Sequence, residues 1–218
     1  MKDYPSGTAY PPTVPEYVNR PITHHTYLLN ALIEKYGLKS YLEIGVQNPA
    51  NNFDKVKCGW KMGIDPDINS TAQIYRGTSD MYFSMLYNLD VNVGTFFDLI
   101  FIDGLHHADQ VKRDFENSLR CLSDNGFILI HDVLPENEAG TIVPRETKKW
   151  WGDVYKWAMT INQYPGIGFV TFNIDNGCML VWKMKDKQPP PSLGTPINWN
   201  TYEEFGKVLL NVTDAVEI

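Results

Sequence analysis

The feature that most constrains this chain is the regular exchange of short apolar runs with stretches of helical periodicity. Residues 40–46, 60–65, 96–103 and 126–132 are dense in aliphatic and aromatic residues, and a weaker run covers 73–76. Between them, Leu28, Leu29, Leu32 and Ile33 predict a helix over 23–36 closed by Gly37. Met81, Met85, Leu86 and Leu89 predict a second over 80–90, and Val111, Phe115, Leu119 and Leu122 a third over 109–122. Strands that are apolar on both faces and alternate with helices belong to a parallel sheet covered on both sides. The pattern then changes. Residues 166–174 and 178–184 are β-rich and joined by Asp175, Asn176 and Gly177; an Asn-Gly step between two such runs predicts a hairpin. The expected fold is an α/β, doubly wound, mostly parallel sheet ending in an antiparallel hairpin.

The flanks read differently. Pro5, Pro11, Pro12, Pro15 and Pro21 make residues 1–21 an extended arm, because proline has no amide proton and a fixed φ. Pro189, Pro190 and Pro191 form a stiff connector before a last amphipathic helix carrying Tyr202, Phe205, Val208, Leu209 and Val212. The domain plan is an arm over 1–21, a core domain over 22–185, and a Pro linker with a C-terminal helix over 186–218. A net charge of −7 argues against nucleic acid as a partner, since binding there depends on Lys and Arg neutralising phosphates. No run approaches the ~18 apolar residues of a membrane span, and residues 1–20 lack the apolar stretch of a signal peptide, so the expectation is a cytoplasmic protein with no membrane partner. Cys58, Cys121 and Cys178 are widely spaced and form no CxxC pair, which reads as reduced thiols.

In doubly wound sheets, ligands sit at the carboxyl ends of the strands. The first strand carries Glu43 and Gly45 there, the second ends at Asp65, the fourth at Asp103 and the fifth at His131 and Asp132. Asp65 is placed to accept hydrogen bonds from both ribose hydroxyls of an adenine nucleoside; the plainer reading is a turn aspartate in Asp65-Pro66-Asp67. Asp103 and Asp132 on adjacent strand tips suit a hard divalent cation such as Mg²⁺ or Mn²⁺. His106, three residues after Asp103, is the candidate base for a substrate hydroxyl; the plainer reading is a solvated loop histidine, as for His107.

Together these segments resemble the class I S-adenosylmethionine-dependent methyltransferases, whose fold is Rossmann-like. Residues 41–46 (Tyr-Leu-Glu-Ile-Gly-Val) resemble the family's first motif, residues 63–65 (Gly-Ile-Asp) the ribose-binding strand end, and residues 97–106 and 126–132 its motifs at strands four and five. Asp103, Gly104, Leu105 and His106 followed by His131 and Asp132 resemble the branch of macrocin-type, metal-dependent O-methyltransferases. The resemblance implies S-adenosylmethionine held by Glu43, Gly45, Asn48, Asp65, Thr78, Ser79, Asp80 and Asp103, a metal held by Asp103, His131 and Asp132, and His106 as the catalytic base. The usual glycine-rich loop is replaced by Gln47 to Asn52, in which Asn48, Asn51 and Asn52 are expected to take the left-handed angles of glycines. His131 stands where metal-dependent relatives carry an acid, and imidazole suits Mn²⁺, Fe²⁺ or Zn²⁺ better than Mg²⁺.

The implied reaction is methyl transfer to a hydroxyl of a small-molecule acceptor. The acceptor is expected beneath residues 1–21, 135–151 and the last helix. Trp150, Trp151 and Trp157 point to a carbohydrate if their faces are open and to core packing if they are not. A homodimer is expected from the arm and the last helix. Two other readings stay open: a nicotinamide-dependent oxidoreductase using the same Asp65, and a catalytically inactive cofactor-binding or assembly module.

Overall fold

The computed structural model describes residues 22–69, 71–88, 97–189, 194 and 196–214. The Pro-rich arm, Leu89, Phe96, Pro190 and Pro191 lie outside the described residues. Helix α1 (His25–Tyr36) leads into β1 (Ser40–Ile44), β2 (Trp60–Asp65), β3 (Ile74–Arg76), α2 (Ser79–Asn88) and β4 (Phe97–Ile102). Then come α3 (Ala108–Cys121), β5 (Leu122–Ile130), α4 (Val154–Ala158), β6 (Ile167–Phe172), β7 (Cys178–Lys183), α5 (Trp199–Leu209) and β8 (Val212–Thr213). The eight strands form one sheet in the order β3-β2-β1-β4-β5-β7-β6-β8.

Strands β3, β2, β1, β4 and β5 run parallel, and β7 runs antiparallel between β5 and β6. The mostly parallel sheet with its closing hairpin is therefore the one expected. Its turn uses three left-handed residues, Asp175 (φ 47°), Asn176 (φ 66°) and Gly177 (φ 90°), which is why Asn and Gly stand there. Beyond β6 the edge is covered by β8, a two-residue strand parallel to it.

The period-2 alternation of side chains splits the strands between two cores. In β4, Ile100 and Ile102, and Phe97 across a register shift between Phe97 and Leu99, face a cluster that includes Val111 and Phe115 of α3 and Trp157 of α4. Leu99 and Phe101 face the opposite cluster, with Leu28, Leu29 and Leu32 of α1. Phe115 is the hub of the first layer, its ring 4.9 Å from that of Trp157 and 5.1 Å from that of Tyr164.

Three expectations are corrected. Leu122 is the first residue of β5 and not the last of a helix, because α3 ends at Cys121 and the chain turns directly into the strand. Val212 lies in β8 and not in the last helix. On α5, Tyr202 packs with Tyr155 (5.0 Å between rings), whereas Val208 is 81% exposed. The C-terminal segment packs onto the sheet through Leu210, which is buried in the first cluster. No helix among the described residues is long and apolar enough to cross a membrane.

Phe115→Ala is expected to cost about 3–5 kcal/mol, the range for deleting a fully buried aromatic ring. Val208→Ser should stay within about 0.5 kcal/mol of the parent. Urea unfolding followed by circular dichroism reads both.

Candidate active site

A cleft of about 790 Å³ opens at the carboxyl ends of β1, β2, β4 and β5. It is lined by Glu43, Gly45, Asp65, Thr78, Ser79, Asp103, His106, His131 and Asp132, so the sheet brings nine of the expected site residues to one place. A second hollow of about 590 Å³ lies over α3 and α4, away from the strand ends.

The first loop is built on Gly45 (φ 92°), where a Cβ would stand 2.2 Å from the Asp103 carbonyl oxygen. The next left-handed residue is Gln47 (φ 51°). The expectation that asparagines replace the missing glycines is thus corrected: the bend is complete by Gln47, and Asn52 has φ −137°. Asn48 is exposed, accepts from the Ala50 amide (3.1 Å) and does not line the cleft. Asn52 serves a different purpose. Its Nδ2 donates to Glu43 Oε2 (2.9 Å), beside the Tyr41 hydroxyl that donates to the same oxygen at 2.6 Å. Burial lifts the Glu43 carboxyl to about 8, against the pull of the Tyr41 hydrogen bond.

Asp65 holds the second loop. Its Oδ2 accepts from the Gln47 amide (2.7 Å) and its Oδ1 from the Asp67 amide (2.8 Å). It is thus the turn aspartate and a cleft residue at once; each carboxylate oxygen keeps a further lone pair for a ligand hydroxyl. Thr78 and Ser79 line the cleft at the start of α2, but Asp80 does not: it pairs with Arg113 of α3 (3.4 Å) on the outer surface. Behind Ser79 lies a group the sequence reading missed. Asp114, 0% exposed, accepts from Gln110 Nε2 (3.0 Å), and burial raises its carboxyl to about 6. The available signal was an acid on the apolar face of α3, between Val111 and Phe115.

The second half of the cleft is a chain of carboxylates and imidazoles. The His106 ring lies between two acids, Nε2 3.4 Å from Asp103 Oδ1 and Nδ1 3.1 Å from Asp132 Oδ2. His131 Nδ1 is 3.1 Å from Asp103 Oδ1 on the other side. Burial opposes charge on every one of these groups. For Asp103 the two imidazoles outweigh burial and hold its carboxyl well below the usual range. For His106 and His131 the carboxylates outweigh burial and raise both rings. For Asp132 burial wins and its carboxyl rises.

Asp103, His131 and Asp132 bring ligand atoms within 4.8 Å of one another. Asp132 Oδ1 is buried without a hydrogen bond, an unspent oxygen of the kind a hard cation takes. The two carboxylates fit such an ion; His131 Nδ1 is engaged with Asp103.

Trp150 stacks on the His106 ring, 5.2 Å between centroids and 14° from parallel. Its indole N–H donates to the Ile142 carbonyl (2.8 Å). Trp151 and Trp157 are buried core residues, so for these two the core-packing alternative holds. Arg145 turns back onto the Thr147 and Lys148 carbonyls, and the last helix does not line the cleft.

The sheet order and the placement of this cleft are those of the class I methyltransferase fold, and residues 39–133 match the family model described as a methyltransferase domain. No curated protein matches the sequence. Among solved structures, the fold is similar to an O-methyltransferase from Bacillus cereus in complex with SAH, with a TM-score of 0.54 and 14% identity over 78% of this chain and 84% of that one. TomG from Streptomyces achromogenes, an O-methyltransferase involved in tomaymycin synthesis and solved with SAM, gives 0.53 at 13% identity over 73% and 79%. SAH-bound methyltransferase PaMTH1 from Podospora anserina gives 0.52 at 16% identity over 74% and 78%.

A carboxyl whose pKa rises on folding favours the folded state fully below its unfolded value. That contribution is lost as pH climbs towards the folded value. For Glu43 the window is pH 4.5 to about 8. Glu43→Gln should therefore match the parent near pH 5 and exceed it at pH 8 by on the order of 3 kcal/mol, read by unfolding at each pH. A constant difference across that range would contradict the buried, proton-binding carboxyl.

Proposed function

We propose that this protein is an S-adenosylmethionine-dependent O-methyltransferase acting on a hydroxyl of a small molecule. The observation that carries the reading is one cleft with a carboxylate and two hydroxyls at one end and an imidazole between carboxylates at the other. Asp65 and the Thr78–Ser79 pair stand at the first, and Asp103, His106 and Asp132 at the second. The methyltransferase-domain match over 39–133 supports it, as do the SAH and SAM named for the similar solved structures.

When bound, S-adenosylmethionine supplies a methyl group on a sulfonium, a leaving group that needs no acid to depart. The chain's own residues align and activate the acceptor. Asp65 accepts from the ribose hydroxyls while its amide contacts keep the carboxylate oriented. Glu43 meets the amino group of the methionine part and steadies Asn52. His106 takes the proton as the hydroxyl oxygen accepts the methyl group; Asp103 and Asp132 stabilise the imidazolium that results. A divalent ion on Asp103 and Asp132 would lower the pKa of the acceptor hydroxyl. Gly152, where a Cβ would meet the His106 carbonyl oxygen, and Trp150 on the ring face hold the base in place.

A carbohydrate is the favoured acceptor class, because the partly exposed Trp150 stacks on His106 and aromatic rings suit sugars. The same reading takes residues 22–185 as the catalytic domain, with 1–21 as an arm and the last helix and β8 packed onto the domain's sheet, in a cytoplasmic homodimer.

Calorimetry with S-adenosylhomocysteine should show binding, and NAD none; the reverse favours the oxidoreductase. Asp65→Ala should weaken S-adenosylhomocysteine by roughly 10–100-fold, the loss of charge-assisted hydrogen bonds. His106→Ala should leave that affinity unchanged and lower turnover on a panel of sugar and phenolic acceptors by about 10²–10⁴-fold. Binding without turnover on any acceptor would favour the inactive module.

A further inference from the structure

At one edge of the cleft stands a cluster that the proposed reaction leaves unused except for His131. In the β6–β7 turn, Asp175 holds its Oδ2 against the start of α1, accepting from the His25 amide at 3.0 Å. Three imidazole nitrogens surround that oxygen: His25 Nδ1 at 2.6 Å, His131 Nε2 at 3.6 Å and His24 Nε2 at 3.6 Å. His25 and His131 are 9% and 8% exposed. Yet neither His25 Nδ1 nor His131 Nε2 makes a hydrogen bond. His131 Nε2 stands too far from the carboxylate for a hydrogen bond, and His25 Nδ1 is close enough but not aligned for one.

Their neighbours sort the three rings. His131 Nδ1 lies 3.1 Å from Asp103 Oδ1, and its Nε2 faces Asp175, where a metal ion would displace the proton of that nitrogen. A carboxylate behind an imidazole is the arrangement that orients a metal-bound histidine. His24 is the opposite case. Its Nδ1 accepts from the Thr26 amide (3.2 Å), so its Nε2 carries the proton and serves as a donor towards Asp175. The His25 and His131 rings meet at 73° with centroids 4.8 Å apart, and each has a nitrogen near Asp175 Oδ2.

We propose that His25 Nδ1, His131 Nε2 and Asp175 form a binding site for a divalent transition ion of the Zn²⁺, Fe²⁺ or Co²⁺ type, separate from the Asp103–Asp132 pair. Two imidazoles and one carboxylate suit these borderline ions and disfavour Mg²⁺. Bonds of about 2.0–2.2 Å require the 2.6 Å contact to open slightly, which a turn of the Asp175 carboxylate provides. Because His25 and His131 line the cleft, the remaining coordination positions face it. His131 was assigned from the sequence to the Asp103–Asp132 set; in this site it acts through its other nitrogen. The site does not rest on the methyltransferase reading.

The test is titration of the full chain, stripped with a chelator, with Co²⁺ as the probe. One equivalent with a visible absorption band is expected, retained in excess Mg²⁺. His25→Ala and Asp175→Asn should each weaken Co²⁺ at least tenfold, and Asp132→Asn should not. Absence of the band, displacement by Mg²⁺, unchanged affinity in His25→Ala, or loss on Asp132→Asn alone would overturn the proposal. Circular dichroism melts check that each variant is folded; if Asp175→Asn is not, His25→Gln decides by the same criterion.

Discussion

The site depends first on a place where two backbones touch. At Gly45 the tip of β1 lies so close to the turn after β4 that a Cβ would sit 2.2 Å from the Asp103 carbonyl oxygen and 2.4 Å from the Gly104 Cα. Main-chain hydrogen bonds hold the contact: the Gly45 amide donates to Ile64 and the Asp103 amide to Ile44, both at 2.9 Å. The ends of β1, β2 and β4 are thereby tied into one rim. Asp65 is drawn in by the Gln47 amide, two residues after Gly45. A side chain at Gly45 would push the two halves of the cleft apart.

The second dependence is charge. Carboxylates at neighbouring strand tips repel, and each buried charge is costly unless it is compensated. Asp103 has His106 on one side and His131 on the other, and His131 reaches on to Asp175. The alternation of acids and imidazoles lets four acidic or basic groups share a small volume. It also makes His131 the link between the proton-accepting end of the cleft and the His25–Asp175 cluster.

The strand–helix alternation made the sheet legible, because continuous apolar runs separated by helical periodicity admit few other architectures. Strand ends then located Asp65, Asp103, His106 and Asp132, since topology alone puts those positions on one edge. What failed was local. Asn48 and Asp80 stand in the expected segments, but their backbone directions carry them outwards, and direction within a loop is not encoded in residue type. Phe205 and Val208 keep a helical spacing whose face has no partner among the described residues. The short helix α4 was masked by its length, and Asp114 by an argument that looked for acids only at strand ends. His25 and Asp175 were invisible as a pair because they are 150 positions apart and meet through the hairpin turn.

The central claim is that the rim joined at Gly45 binds a nucleoside cofactor as one unit. Hydrogen–deuterium exchange with and without S-adenosylhomocysteine tests it most directly. Amides in residues 45–48, 65–67, 77–80 and 103–106 should gain protection together, while residues 156–164 beside the second hollow do not change. Protection confined to that hollow, or none at the strand ends, would contradict the account.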